Sequence, residues 1–97
     1  MSAVWKVPLQ MEGQQLIKMP VGAELLTVQV QNDQPQIWAR VDPTAPVADR
    51  RIIMVGTGHQ FTDDDHKYVG TFQLMGGGFI GHVFDGRSGT GKSQDLV

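Results

Sequence analysis

The residues best suited to chemistry lie between Arg50 and Asp85. That stretch holds the histidines His59, His66 and His82, the pair Arg50-Arg51 and the run Asp63-Asp64-Asp65. Two imidazoles bracketing three carboxylates form a ligand set suited to a divalent cation, and a small metal-dependent hydrolase using His59, Asp63, Asp65, His66 and His82 is one reading of it. Such a site also needs convergence and an oriented outer shell, which spacing this loose does not specify. The other reading puts Thr62 and Asp65 in capping-box positions of a single helical turn, with the charges in water. Just upstream, the amides of Gly56-Thr57-Gly58-His59, freed by two glycines, could cradle a phosphate or carboxylate with Arg50 or Arg51 adding charge. The same glycines would equally serve a sharp turn leaving a strand. No Ser or Cys nucleophile has a readable partner base, so binding without turnover is expected, with no bound cofactor or metal.

Two further groups call for chemistry by type. Trp38 and Arg40 fall on the polar side of an alternating segment, and an indole beside a guanidinium on a solvated face is a composition found at binding hot spots. A loop or second sheet lying over Trp38 would account for it equally well. Near the C-terminus, Gly86-Arg87-Ser88-Gly89-Thr90-Gly91-Lys92-Ser93 satisfies the P-loop pattern in full. That motif works at the start of a helix in a parallel sheet, and the four residues after Ser93 cannot propagate a helix. A nucleotide-hydrolysing site is therefore not expected there; residues 86–97 read as a flexible tail rich in Gly and Ser, beyond a single domain of residues 1–85.

The elements that must position these groups are strands. Residues 52–55, 68–75 and 79–84 are short, apolar and β-branched or aromatic, bounded by Gly or Asp clusters. Residues 52–55 are apolar on both faces, as in a strand between packed layers. Pairing Met75 with Phe79 across the glycines 76–78 would set His82 opposite Phe72, among apolar side chains, where a hydrogen-bonded core histidine is the ordinary outcome. Upstream, residues 26–31 and 36–41 alternate about the turn Asn32-Asp33-Gln34-Pro35, matching Val30 to Ile37, Val28 to Ala39 and Leu26 to Val41. Residues 4–9 and 15–19 alternate as well and would make a first hairpin, Val7 on Ile17 and Trp5 on Met19, with Pro8 marking an edge strand. Residues 42–49, with two prolines, read as a surface connection. The sum is an all-β domain: a small antiparallel β-sandwich or partly open barrel of about seven strands.

Composition bounds the partners. The chain has 97 residues, 8 Lys plus Arg against 10 Asp plus Glu, and a formal charge of −2, too balanced for general attraction to nucleic acid or to anionic membrane. It has no cysteine, which excludes disulfide staples and thiolate metal sites. No apolar run approaches a membrane span and the first ten residues lack the apolar core of a signal peptide, so a cytoplasmic location is expected.

The order Trp5-Lys6-x-Pro8-Leu9, Met19-Pro20-x-Gly22-Ala23, Val28-x-Val30-Gln31, Trp38-Ala39, Val41-Asp42-Pro43, Gly56-Thr57-Gly58-His59, Tyr68-Val69-Gly70-Thr71 and His82-Val83-Phe84 resembles a family of short, uncharacterised proteins of bacteriophages and prophages. The resemblance spans residues 4–84 and carries no activity. It implies a phage protein acting in the host cytoplasm. The expectation that follows is a non-catalytic binding protein that counters host defence, by holding a host defence protein or by sequestering a small anionic nucleotide signal. Its site would comprise Trp38, Arg40, Arg51, Gly56, Thr57, Gly58, His59, Phe61 and His82. An accessory virion protein is a further alternative. Strand edges and an exposed Trp38 would be covered by further copies, so a homo-oligomer is expected.

Overall fold

The computed structural model describes residues 1–62 and 66–86. Within them lie seven strands: β1 (Ala3–Pro8), β2 (Gln14–Pro20), β3 (Glu24–Gln31), β4 (Gln34–Val41), β5 (Val47–Gly56), β6 (Lys67–Leu74) and β7 (Phe79–Asp85). They form two antiparallel sheets, one of three strands in the order β1-β4-β3 and one of four in the order β2-β5-β7-β6. The sandwich expected from the alternating segments is the fold, and it does not close into a barrel. Between the layers, Ile37, Ala39 and Val41 of β4 and Val28 of β3 meet Ile17, Met19, Ile52, Met54, Phe72 and Val83 of the other sheet.

The predicted first hairpin is not formed. β1 pairs with β4, Trp5 opposite Ala39 and Val7 opposite Ile37, while β2 pairs with β5 in the other sheet. Leu9, fully buried, marks the crossing, and its amide extends the β1 ladder to the Pro35 carbonyl at 2.9 Å. The corner is then pinned by Gln15, whose side chain accepts from the Gln10 amide at 2.9 Å and donates to the Gln10 carbonyl at 2.8 Å. A strand that leaves its sheet and one that turns back on itself have the same alternation; β1 goes where β4 has an apolar row to be flanked.

The two hairpins form with registers other than expected. Asn32 and Asp33 both have positive φ (56° and 59°), giving a two-residue turn of the type that suits strand twist. Val28 therefore lies opposite Ile37 and Thr27 opposite Trp38, with an irregularity at Leu26. This is a shift by two, which leaves the faces unchanged from Thr27 onward; before the irregularity Leu25, opposite Ala39, packs on the core and Leu26, expected inward opposite Val41, is exposed. The β6–β7 connection is longer than three glycines, because Met75 itself takes a left-handed conformation (φ 54°) and Leu74 pairs with Phe79. That shift is by one, and it moves His82 from Phe72 to a position opposite Thr71. Phe72 instead faces Gly81, where an added Cβ would stand 2.5 Å from the Phe72 ring. Gly81→Ala should cost about 1–3 kcal/mol by overpacking a ring that is 3 % exposed, read as a lower urea midpoint at unchanged slope.

β5 begins at Val47, so the surface connection is shorter than residues 42–49. Its turn is closed by Thr44, whose hydroxyl donates to the Asp42 carboxylate at 2.7 Å and whose amide does so at 3.0 Å. These two bonds, the hydroxyl first, hold the Asp42 carboxyl below its ordinary value. All four of Ile52, Ile53, Met54 and Val55 are buried, as expected of a strand with both faces covered. Ile52 and Met54 belong to the core between the sheets; Ile53 and Val55 point the other way, beneath the β5–β6 connection.

Candidate functional site

The β5–β6 connection leaves β5 through a tight turn. The His59 amide donates to the Gly56 carbonyl at 3.0 Å, with Gly58 at φ 87°, the geometry of a turn that requires glycine at its third position. The His59 ring lies against Gly56, where a Cβ would come within 3.2 Å of Nδ1. Two glycines are thus explained by the turn alone, and the His59 amide is committed to it. Beyond it, Phe61 and His66 lie over the outer face of the four-stranded sheet. Phe61 packs on Phe84 with ring centroids 4.9 Å apart, His66 stacks on Phe61 at 6.3 Å, and Tyr68 meets Phe84 edge-on at 5.6 Å.

Between these rings and the β2–β5 pair lies a cavity of about 670 Å³, walled by Gln14, Arg51, Gly56, His59, Phe61 and His66 among others. Arg51 projects from the same side of β5 as Ile53 and donates to the Gly86 carbonyl at 3.2 Å. His66 keeps its Nδ1 shielded from solvent, without a hydrogen-bond partner among the described residues. The cavity therefore joins an arginine, two imidazoles and an exposed aromatic ring, a set able to meet an anionic group at one end and a planar ring at the other.

Four of the expected site residues meet here: Arg51, Gly56, His59 and Phe61. Thr57 and His82 meet each other instead, on the other flank of the connection. Thr57 Oγ1 is 2.7 Å from His82 Nε2, Thr71 Oγ1 is 2.9 Å from His82 Nδ1, and the Tyr68 hydroxyl is 2.6 Å from Thr71 Oγ1. Both nitrogens of His82 are thereby engaged by hydroxyls, which pins the start of the connection to β6 and β7. His82 is a hydrogen-bonded histidine, as its sequence context suggests, but on the sheet's outer face and not in the core. Gly58 sits exposed at the turn.

Trp38 and Arg40 are elsewhere. They stand on the outer face of the three-stranded sheet, Trp38 between Lys6 and Thr27 and Arg40 paired with Glu24. The single site expected from the sequence is thus divided between the two outer faces of the sandwich. Asp63, Asp64 and Asp65, and the P-loop-like pattern with the tail from residue 87, lie outside the described residues. Among the described residues no three His, Asp or Glu side chains gather as a metal site.

Sequence reasoning missed Gln14, which reaches the cavity from β2, and Tyr68 and Thr71, which complete the row at His82. The signal for the last two was the register of β6 against β7, and a one-residue difference in turn length concealed it. A second cavity, of about 450 Å³, opens at the end of the sandwich between Met19, Val21, Leu25, Val69 and the Arg50–Asp85 pair. No residue of this second cavity belongs to the expected site.

The fold and the site define a small antiparallel β-sandwich with a ligand-sized cavity on the outer face of its larger sheet. Residues 1–93 match the family described as a domain of unknown function (DUF7352), and the chain belongs to that family. No curated protein and no solved structure matches the chain.

Proposed function

We propose that the protein is a non-catalytic binding protein that sequesters a small anionic ligand in the cavity beneath the β5–β6 connection. The observation that carries this reading is the convergence of Arg51, His59, Phe61 and His66 on one space of about 670 Å³, within the range of small-molecule sites. In it Arg51 meets phosphate and Phe61 stacks on a base. The phage-like order of the motifs supports a nucleotide defence signal of the host as the ligand, and the host cytoplasm as the place of action. Exposed Val4 on edge strand β1 and Leu16 on edge strand β2 support association with further copies.

Titration calorimetry with cyclic dinucleotides and ADP-ribose tests the reading, followed by recovery of the ligand after heating. Arg51→Ala should weaken binding by about 1.5–3 kcal/mol, the range of a charged hydrogen bond, and His59→Ala should be mild. Intact ligand on release supports sequestration; a chemically altered product would make the protein a hydrolase, and no binding of either class would sink the proposal.

A further inference from the structure

We propose that the protein forms a two-fold dimer by pairing β1 with β1 of a second copy, Trp5 opposite the partner's Trp5, so that the two three-stranded sheets run on as one. The proposal rests on the association of copies put forward above, and it names the edge that carries it. Of the two edges of this sheet, β3 lies against β6, where Gly70 closely approaches Val28. At the other edge, no described strand pairs with the outer side of β1. The direction of its backbone groups follows from one bond. The Leu9 amide donates to Pro35 of β4, and the pairs Val7–Ile37, Trp5–Ala39 and Ala3–Val41 continue that row. Alternate residues of an antiparallel strand point their N–H and C=O to the same side, so those of Val4 and Lys6 point away from β4. A row of outward backbone groups is a template for a further strand.

The apolar layer is unfinished at the same edge. Ile37, Ala39 and Val41 of β4 are buried, but Ala3, Trp5 and Val7, which pack against the core from β1, are only half-buried. A strand added beside β1 covers their open side. The occupant is another copy because β1 is complementary to itself about Trp5. In that register Val4 exchanges both backbone hydrogen bonds with the partner's Lys6, and Lys6 does the same with the partner's Val4. On the core side, Ala3 lies opposite the partner's Val7 and the two indoles meet as a cross-strand aromatic pair. Centring the pair on Lys6 instead would oppose like charges and set Pro8, which has no N–H, against the partner's Val4. Lysine on an edge strand deters pairing when its charge stands at the edge. Here the Lys6 ammonium is drawn back across the sheet to the Gln31 side chain of β3. A single strand pair buries less than a standard interface, so the dimer should dissociate on dilution.

Sedimentation velocity of the full chain over a micromolar concentration series should show the mass rising from one chain to two. Val4→Pro removes an outward N–H and leaves the β4 ladder alone, which an edge strand tolerates. It should weaken dimerisation roughly thirty-fold, as the loss of two hydrogen bonds per dimer implies, with thermal unfolding close to the parent. The register is read by placed thiols, since the chain has no cysteine of its own. Val4→Cys mixed with Lys6→Cys should give the mixed disulfide dimer by mass spectrometry under mild oxidation, and each variant alone far less dimer, because a disulfide spans only closely opposed positions. Both residues are exposed and neither lines the cavity beneath the β5–β6 connection, so these changes leave the fold and the calorimetry of that cavity as they are. A monomer at every concentration overturns the proposal together with the association of copies. A dimer that Val4→Pro does not weaken, or mixed thiols that do not cross-link, overturns the β1 edge while association through another surface stands.

Discussion

Asp85→Ala should lower the unfolding free energy by about 3–5 kcal/mol, the cost of leaving one partner of a buried ion pair alone. The Asp85 carboxylate accepts from Arg50 Nε at 3.0 Å and from Nη2 at 2.6 Å, and Arg50 Nη1 donates to the Ala23 carbonyl at 2.8 Å. One guanidinium therefore joins β5, β7 and the corner between β2 and β3, at the wall of the smaller cavity. The side chains of Arg50 and Asp85 are 18 % and 8 % exposed, so a charge left alone by removal of the other stays mostly out of water. Against a total stability of about 5–15 kcal/mol for a domain this size, the loss is large enough to leave part of the protein unfolded at room temperature. Urea unfolding followed by tryptophan fluorescence measures it, with Lys18→Ala as the control. Lys18 and Asp49 form a pair with side chains 74 % and 46 % exposed, and solvent screening confines such a pair to about 0–1 kcal/mol. If Asp85→Ala cost no more than Lys18→Ala, the Arg50–Asp85 pair would have to be hydrated in solution, and the corner it holds would be open.

The contrast between these two pairs bears on what the sequence could disclose. Arg50 and Asp85 are far apart in the chain, and nothing in their types separates them from Lys18 and Asp49. The strands themselves were legible because alternation and β-branched runs are local properties, and the doubly apolar stretch 52–55 correctly marked a central strand. Partners were less so. Alternation says which residues share a face but not which sheet owns that face, so β1 was given to β2 when it flanks β4. Register failed for a related reason: left-handed Asn32-Asp33 and left-handed Met75 set the turn lengths, and a non-glycine residue rarely announces positive φ. The division of the expected site follows directly. Arg51, Gly56, His59 and Phe61 are close in sequence and stay together, whereas Trp38 and Arg40 belong to the other sheet and could be joined to them only by a wrong strand order. His82 and Thr57 were both singled out, yet their contact depends on the one-residue shift between β6 and β7.

The second large effect should come from Ile37→Ala, at about 2–5 kcal/mol. Ile37 is completely buried at the middle of β4, with Val7 opposite it on β1 and Val28 opposite it on β3. Removing its outer carbons loses their transfer free energy and leaves a space whose cost depends on how far the neighbours can move in. Here they are restrained. Val28 is held from behind by β6, where Gly70 comes so close that a Cβ on it would stand 2.9 Å from Val28 Cγ1. β3 is thus clamped between β4 and the edge of the other sheet, and it cannot follow the lost volume without breaking that contact. The loss should fall in the upper half of the range, while Ile37→Val, which removes one methyl, should cost about 0.5–1.5 kcal/mol. Equilibrium urea curves for the two variants decide the matter. A cost below about 1 kcal/mol for Ile37→Ala, less than a well-packed site allows, would show that β3 does close over the space, and that the approach of Gly70 to Val28 is a loose contact instead of the seam where the two sheets are joined.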